Sequence, residues 1–170
     1  MALMDYNENW IAERKKNGWR CLAIRTEKGL ELWTRRHTII KDPLPETRAN
    51  LLRLPVNTML DGELMEKRTK EIKDKFYAFD IIFSKNQPLV HLAWEERRKY
   101  LEYTLISNDI GVDIFEPVWN NFKALYDLSV EEGDEGVVIK KATSPYVVDL
   151  RSCPSNPYWL KEKKPENCMR

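Results

Sequence analysis

Short apolar and aromatic runs follow one another across turn signals, with no regular alternation of strand and helix, and this pattern most constrains the fold. Residues 20–25 (Arg-Cys-Leu-Ala-Ile-Arg) and 30–34 (Leu-Glu-Leu-Trp-Thr) flank a Glu27-Lys28-Gly29 turn and predict a hairpin. Residues 58–65, 75–83, 112–118, 135–140 and 158–163 also read as strands. Helices are predicted over 46–54, ending before Pro55; over 93–106, with Trp94, Leu101 and Leu105 on one side and charges elsewhere; and over about 121–131, from Phe122, Leu125, Tyr126 and Val130. Strands joined by turns and irregular crossovers imply an α+β chain built on antiparallel β-sheets flanked by helices.

At 170 residues the chain suits a single domain spanning 1–170. No apolar run approaches the ~20 residues that cross a bilayer, and the first residues lack the basic flank and apolar block of a signal peptide, so an intracellular, cytoplasmic protein with no membrane partner is expected. Cys21, Cys153 and Cys168 are scattered without C-x-x-C spacing, which argues against a zinc site or a disulfide framework. The 28 basic and 27 acidic residues leave a net charge of +1, which argues against coating nucleic acid by bulk attraction. Basic residues do cluster locally, at Arg14-Lys15-Lys16, Arg35-Arg36, Arg97-Arg98-Lys99, Lys140-Lys141 and residues 161–164; each cluster alone reads as a solvated face.

Five segments carry candidate chemistry. In Glu13-Arg14-Lys15-Lys16-Asn17-Gly18-Trp19-Arg20, a lysine among other cations tends to lose its proton, and a neutral amine is what nucleophilic attack needs. Gly18 can take a backbone shape other residues resist. Taken alone, the segment reads as well as a basic loop. In Asp61-Gly62-Glu63, strand periodicity puts both carboxylates on one face, where they suit a ribose hydroxyl pair, a hard divalent cation or plain solvent. Phe76, Tyr77 and Phe79 form an aromatic strand in which a ring could stack on a base, although core packing explains at least two of the three. Glu135 opens an apolar strand that ends in Lys140 and Lys141. Trp159, Lys161 and Lys163 share one strand face, and two neighbouring lysines are best explained by a polyanion such as a triphosphate over them; exposed edge lysines are the alternative.

In this order, the segments resemble the motifs of the covalent nucleotidyltransferase superfamily, which contains ATP-dependent DNA ligases, RNA ligases and mRNA capping enzymes. Lys15-Lys16-Asn17-Gly18-Trp19-Arg20 resembles the first motif, Lys-x-Asp-Gly-x-Arg, and Arg35 the arginine that follows. Asp61-Gly62-Glu63, Phe79-Asp80, Glu135-Gly136 through Lys140, and Trp159-Leu160-Lys161-Glu162-Lys163 resemble the later motifs. Trp10, Glu13 and Arg20, with Ser144-Pro145-Tyr146 and Arg151-Ser152, give the pattern a DNA-ligase flavour; the stretch from Cys153 to Tyr158 is longer than that pattern leads one to expect.

The resemblance implies the nucleotidyltransferase fold of ligase adenylation domains, ATP-grasp-like, without an OB-fold domain. It implies that Lys15 takes AMP from ATP, with Lys161 and Lys163 also catalytic. Glu13, Arg20, Arg35, Glu63, Phe79 and Glu135 would bind the nucleotide with those two lysines, and Glu63 and Glu135 would hold Mg2+. Nicked DNA or RNA ends would be the partners. Asn17 stands where the family has aspartate, removing a negative charge beside Lys15. The chain also stops soon after the fifth motif, where relatives continue into an OB-fold domain carrying a last basic motif; a fragment, a stand-alone core as in a virus or phage, or a partner protein would each account for this. An RNA ligase, a capping-type guanylyltransferase labelled by GTP and a non-catalytic nucleotide-binding module are the rival readings.

Overall fold

The computed structural model describes residues 8–65, 73–148 and 156–165. Arg151, Ser152, Cys153 and Cys168 lie outside the described residues; Cys21 is buried and reduced. Eleven elements follow along the chain: β1 (Trp10–Lys15), β2 (Trp19–Thr26), β3 (Gly29–Thr34), α1 (Pro45–Leu52), β4 (Thr58–Leu64), β5 (Phe76–Ser84), β6 (Gln87–Pro88), α2 (Trp94–Ser107), α3 (Phe122–Glu131), β7 (Gly136–Lys141) and β8 (Trp159–Lys163).

They build two antiparallel sheets, as the turn-linked runs imply. One has the order β3-β2-β4-β5-β6 and the other β1-β7-β8. The predicted hairpin is β2–β3, closed by Thr26 opposite Gly29. Lys85 and Asn86, both at positive φ, close β5 onto β6 as a two-residue turn whose twist matches the strands. Leu32, Leu60, Leu64, Ala78 and Ile81 on the larger sheet pack against Leu51 of α1 and Leu101 and Leu105 of α2. On the smaller sheet, Ala12, Val137 and Ile139 pack against Phe122, Leu125 and Tyr126 of α3. Burial of these apolar surfaces is the main force holding helix to sheet.

Several expectations need correction. Residues 112–118 do not form a strand: Asp113 bridges Tyr77 of one sheet and Val118 bridges Ala12 of the other. The segment crosses between sheets, so neither supplies a continuous ladder, and Pro117 lacks the N–H one would need. Conversely, residues 10–15 form a strand, paired along its whole length with β7, where the basic segment alone read as a loop. Gly18 does not adopt a left-handed backbone; it is needed because a β-carbon there would press into the Leu64 carbonyl and the Glu63 side chain. Finally, Arg97 and Arg98 do not lie on a solvated face of α2. Both are buried among its apolar residues because each meets a buried carboxylate.

Candidate active site

A cavity of about 710 Å³ is lined by strands of both sheets. Strand alternation explains what faces it. In β1, Trp10 and Ala12 join the α3 core while Glu13 and Lys15 line the cavity. In β8, Leu160 packs inward and Trp159, Lys161 and Lys163 line the cavity, as their spacing predicts. Glu135 is turned onto the wall by Gly136, whose φ of 139° only glycine takes without strain and whose missing β-carbon makes room for the Glu162 carbonyl. Arg20, Arg35, Glu63 and Phe79 complete the set, so every residue proposed from sequence as catalytic or nucleotide-binding lines this one cavity.

Lys15 is one of the residues on its wall. Its ammonium donates to Glu135 Oε2, and Lys163 Nζ donates to Glu135 Oε1 at 2.9 Å, so one carboxylate holds two cations. Burial pulls Lys15 down from 10.5 to about 8; Lys163, Lys161 and Arg20 push the same way, and Glu63 opposes them. Two of the three depressing charges, Lys161 and Lys163, are therefore distant in sequence, and Arg20 lies in the same segment as Lys15. The adjacent Arg14 and Lys16 are taken up by Asp134, at 2.6 and 2.8 Å. Lys161 is lowered too, first by burial and then by Arg20, Arg35 and Lys163. Burial raises the Glu63 carboxyl, which accepts the Gly18 N–H at 2.9 Å and is held back by Lys15.

The expected pairing of Asp61 with Glu63 divides into two tasks at an irregularity in the β4–β5 register after Asp61. Glu63 faces the cavity, whereas Asp61 is fully buried and grips Arg20 through both oxygens, Nε at 3.0 Å and Nη2 at 2.6 Å. The Tyr146 hydroxyl donates to the same carboxylate at 2.9 Å, and its ring meets Trp159 edge-on. Burial pushes the Tyr146 hydroxyl well above the usual phenol range. Of the aromatic strand, Phe76 is core, Tyr77 stacks on Phe115 and Phe79 reaches the cavity.

Sequence reasoning named Glu13, Asp80 and Lys140 within motifs but missed the buried scaffold they form with Arg97 and Arg98. Lys140 is buried, donates to Glu13 Oε2 at 2.5 Å, and lies 4.3 Å from the Trp159 ring centroid. Arg98 donates to Glu13 Oε1 at 3.1 Å, and Arg97 clasps Asp80 through two bonds of 2.8 Å. The available signal was the adjacent arginine pair amid apolar residues of α2, a pattern that also fits an ordinary charged helix. Among the described residues no cluster of three or more His, Cys, Asp or Glu side chains is placed to enclose a metal, and no helix is long and apolar enough to cross a membrane.

Comparison with known proteins agrees with this geometry. The model of the family described as "ATP dependent DNA ligase domain" matches residues 65–163, a span that begins after Lys15. The SPbeta prophage-derived DNA ligase-like protein LigB of Bacillus subtilis is 28% identical over 163 residues, covering 86% of this chain and 59% of LigB. The multifunctional non-homologous end joining DNA repair protein LigD of Mycobacterium tuberculosis is 26% identical over 168 residues, covering 91% of this chain and 21% of that protein. The solved ligase domain of M. tuberculosis LigD superposes with a TM-score of 0.71 at 25% identity, over 91% of this chain and 53% of that one. A mycobacterial DNA ligase D complexed with ATP and MES gives the same score and identity, over 54% of its chain. This chain thus spans about three fifths of LigB and half of the LigD ligase domain. With matching family motifs on a matching fold, the chain belongs to the ATP-dependent DNA ligase domain family.

Proposed function

We propose that this chain is the catalytic core of an ATP-dependent DNA ligase that forms a covalent lysyl-AMP on Lys15. The carrying observation is that Lys15, depressed to about 8, shares one cavity with the Lys161–Lys163 pair, Glu63 and Glu135. An amine that is partly neutral at physiological pH can act as a nucleophile, and cations set beside it can screen a triphosphate.

Lys15 Nζ, released from Glu135 and neutral, attacks the α-phosphorus of ATP. The bond to the bridging oxygen breaks, pyrophosphate leaves and the lysine proton passes to solvent. Lys161 and Lys163 offset the charge that develops on the phosphate oxygens. Glu63 holds the ribose; Arg20, held in place by Asp61, and Arg35 contact ribose or phosphate; Phe79 stacks on adenine over a floor set by Glu13 and Lys140. The AMP then passes to a 5′-phosphate end and is displaced by a 3′-hydroxyl.

The residues suit a divalent cation: Glu135, with Glu63, offers the hard oxygens that Mg2+ takes alongside phosphate and water. Bound there, Mg2+ would supply Lewis-acid charge at the phosphate. Glu135 must exchange an ammonium to receive it. An OB-fold domain or partner protein would supply the family's last basic motif for full ligation.

The test is incubation with α-labelled ATP or GTP and magnesium, read on a denaturing gel. Label from ATP, lost in Lys15→Ala, is expected. Label from GTP alone would favour a capping-type enzyme, and binding without label a non-catalytic module.

A further inference from the structure

Asp134 is buried and takes no part in the steps above. It lies in the turn between α3 and β7, its N–H donating to the Ser129 carbonyl at 2.8 Å. Oδ2 accepts Arg14 Nε at 2.6 Å, and Oδ1 accepts Lys16 Nζ at 2.8 Å. These are the two chain neighbours of Lys15. The Lys16 ammonium also lies 5.2 and 5.3 Å from the centroids of Tyr77 and Phe115, themselves stacked at 4.8 Å. One residue beyond, the Glu135 N–H donates to the Lys15 carbonyl at 2.9 Å, and the Glu135 carboxylate takes the Lys15 ammonium.

Three consecutive residues of the nucleophile segment are therefore fastened to two consecutive residues of one turn. We propose that Asp134 is a positioning residue for Lys15, clamping Arg14 and Lys16 so that β1 presents the Lys15 amine at a fixed point in the cavity. The clamp engages both flanking cations, Arg14 meeting Glu132 as well at 2.5 Å, and leaves Glu135 to Lys15 and Lys163. A nucleophile held within a few tenths of an ångström of its line of attack gains far more than one that must be caught there.

This inference rests on Lys15 being the nucleophile, so its test includes a readout that needs no ATP. Hydrogen–deuterium exchange of the peptide spanning residues 10–18, read by mass spectrometry, reports how firmly β1 is held. In Asp134→Asn, with the clamp released, exchange across Arg14, Lys15 and Lys16 rises several-fold while exchange in β4 and β5 stays as in wild type. Single-turnover labelling from ATP falls about tenfold while the half-saturating ATP concentration stays within about twofold, the pattern of lost alignment rather than lost binding.

Unchanged exchange at residues 14–16, or a loss of labelling that appears only as a raised half-saturating ATP concentration, would overturn the proposal. Arg14→Gln with Lys16→Gln breaks the same clamp from the other side. That pair must reproduce the rise in exchange even where Asp134→Asn folds poorly, and combining all three must add little to it. A wild type that takes no label but still shows the Asp134-dependent rise in exchange would sink the adenylation reading and leave the clamp standing.

Discussion

Lys15 owes its chemistry to groups that the sequence keeps far apart. Its amine lies near 8 chiefly because it is buried, with Lys161, Lys163 and Arg20 adding to the effect. The neutral fraction is about a tenth at pH 7 and nearly complete above pH 9. Adenylation in single turnover is therefore expected to rise roughly tenfold per pH unit below about pH 8 and to level off above it. A flat or falling profile would contradict the assignment. Much of this site was legible from residue order, since Lys15, Glu63, Glu135, Lys161 and Lys163 all meet in one cavity. The source of the depression was legible only in part. Arg20, in the same segment, does contribute, but burial leads and Lys161 and Lys163 add to it, while Arg14 and Lys16 are paired with Asp134 and Glu132, and nothing in residues 13–20 points to carboxylates more than a hundred positions away.

The elements carry these residues by simple periodicity at β1 and β8 and by less visible devices elsewhere. Gly136 turns Glu135 onto the wall and lets β8 approach β7. Gly136→Ala should cost about 1–3 kcal/mol in chemical denaturation, from positive-φ strain and the clash with Glu162, and should weaken ATP binding by disturbing the lysine pair opposite. A variant as stable as wild type would show that the strand has room there. Helix α2 bolts both sheets through Arg97 to Asp80 on β5 and Arg98 to Glu13 on β1. Arg97→Ala would leave Asp80 buried without its partner and should cost about 3–5 kcal/mol at neutral pH. Burial already raises the Asp80 carboxyl, and removing Arg97 raises it further. The folded variant then binds a proton more readily than the unfolded chain, so its deficit should shrink as pH falls. A deficit that grows on acidification would contradict this. Hairpin β2–β3 and strands β4, β5, β7 and β8 were readable from alternation and turns. Residues 112–118 were not, because their extended shape serves two sheets at once and forms a ladder in neither.

In the whole molecule, two antiparallel sheets packed against helices leave between them a cavity lined mostly by strand residues, with Asn17, Gly18, Arg35, Arg36, Thr38 and Glu135 contributed by the turns beside them. Rigid strands suit a reaction in which little covalent help is needed beyond position and charge. The α+β class followed from the order of runs along the chain; the way the sheets converge did not, since sheet-to-sheet placement depends on long-range contacts such as Arg98 on α2 with Glu13 and the Lys140 ammonium with the Phe79 carbonyl. In the function we propose, this convergence makes Lys15 the covalent acceptor of AMP. Its most direct test is peptide mass spectrometry of the protein after incubation with ATP and magnesium. One added AMP is expected on the peptide containing Lys15, with the bond on its side-chain nitrogen. An unmodified peptide under conditions where ATP binds, or an AMP found on any other lysine, would contradict it.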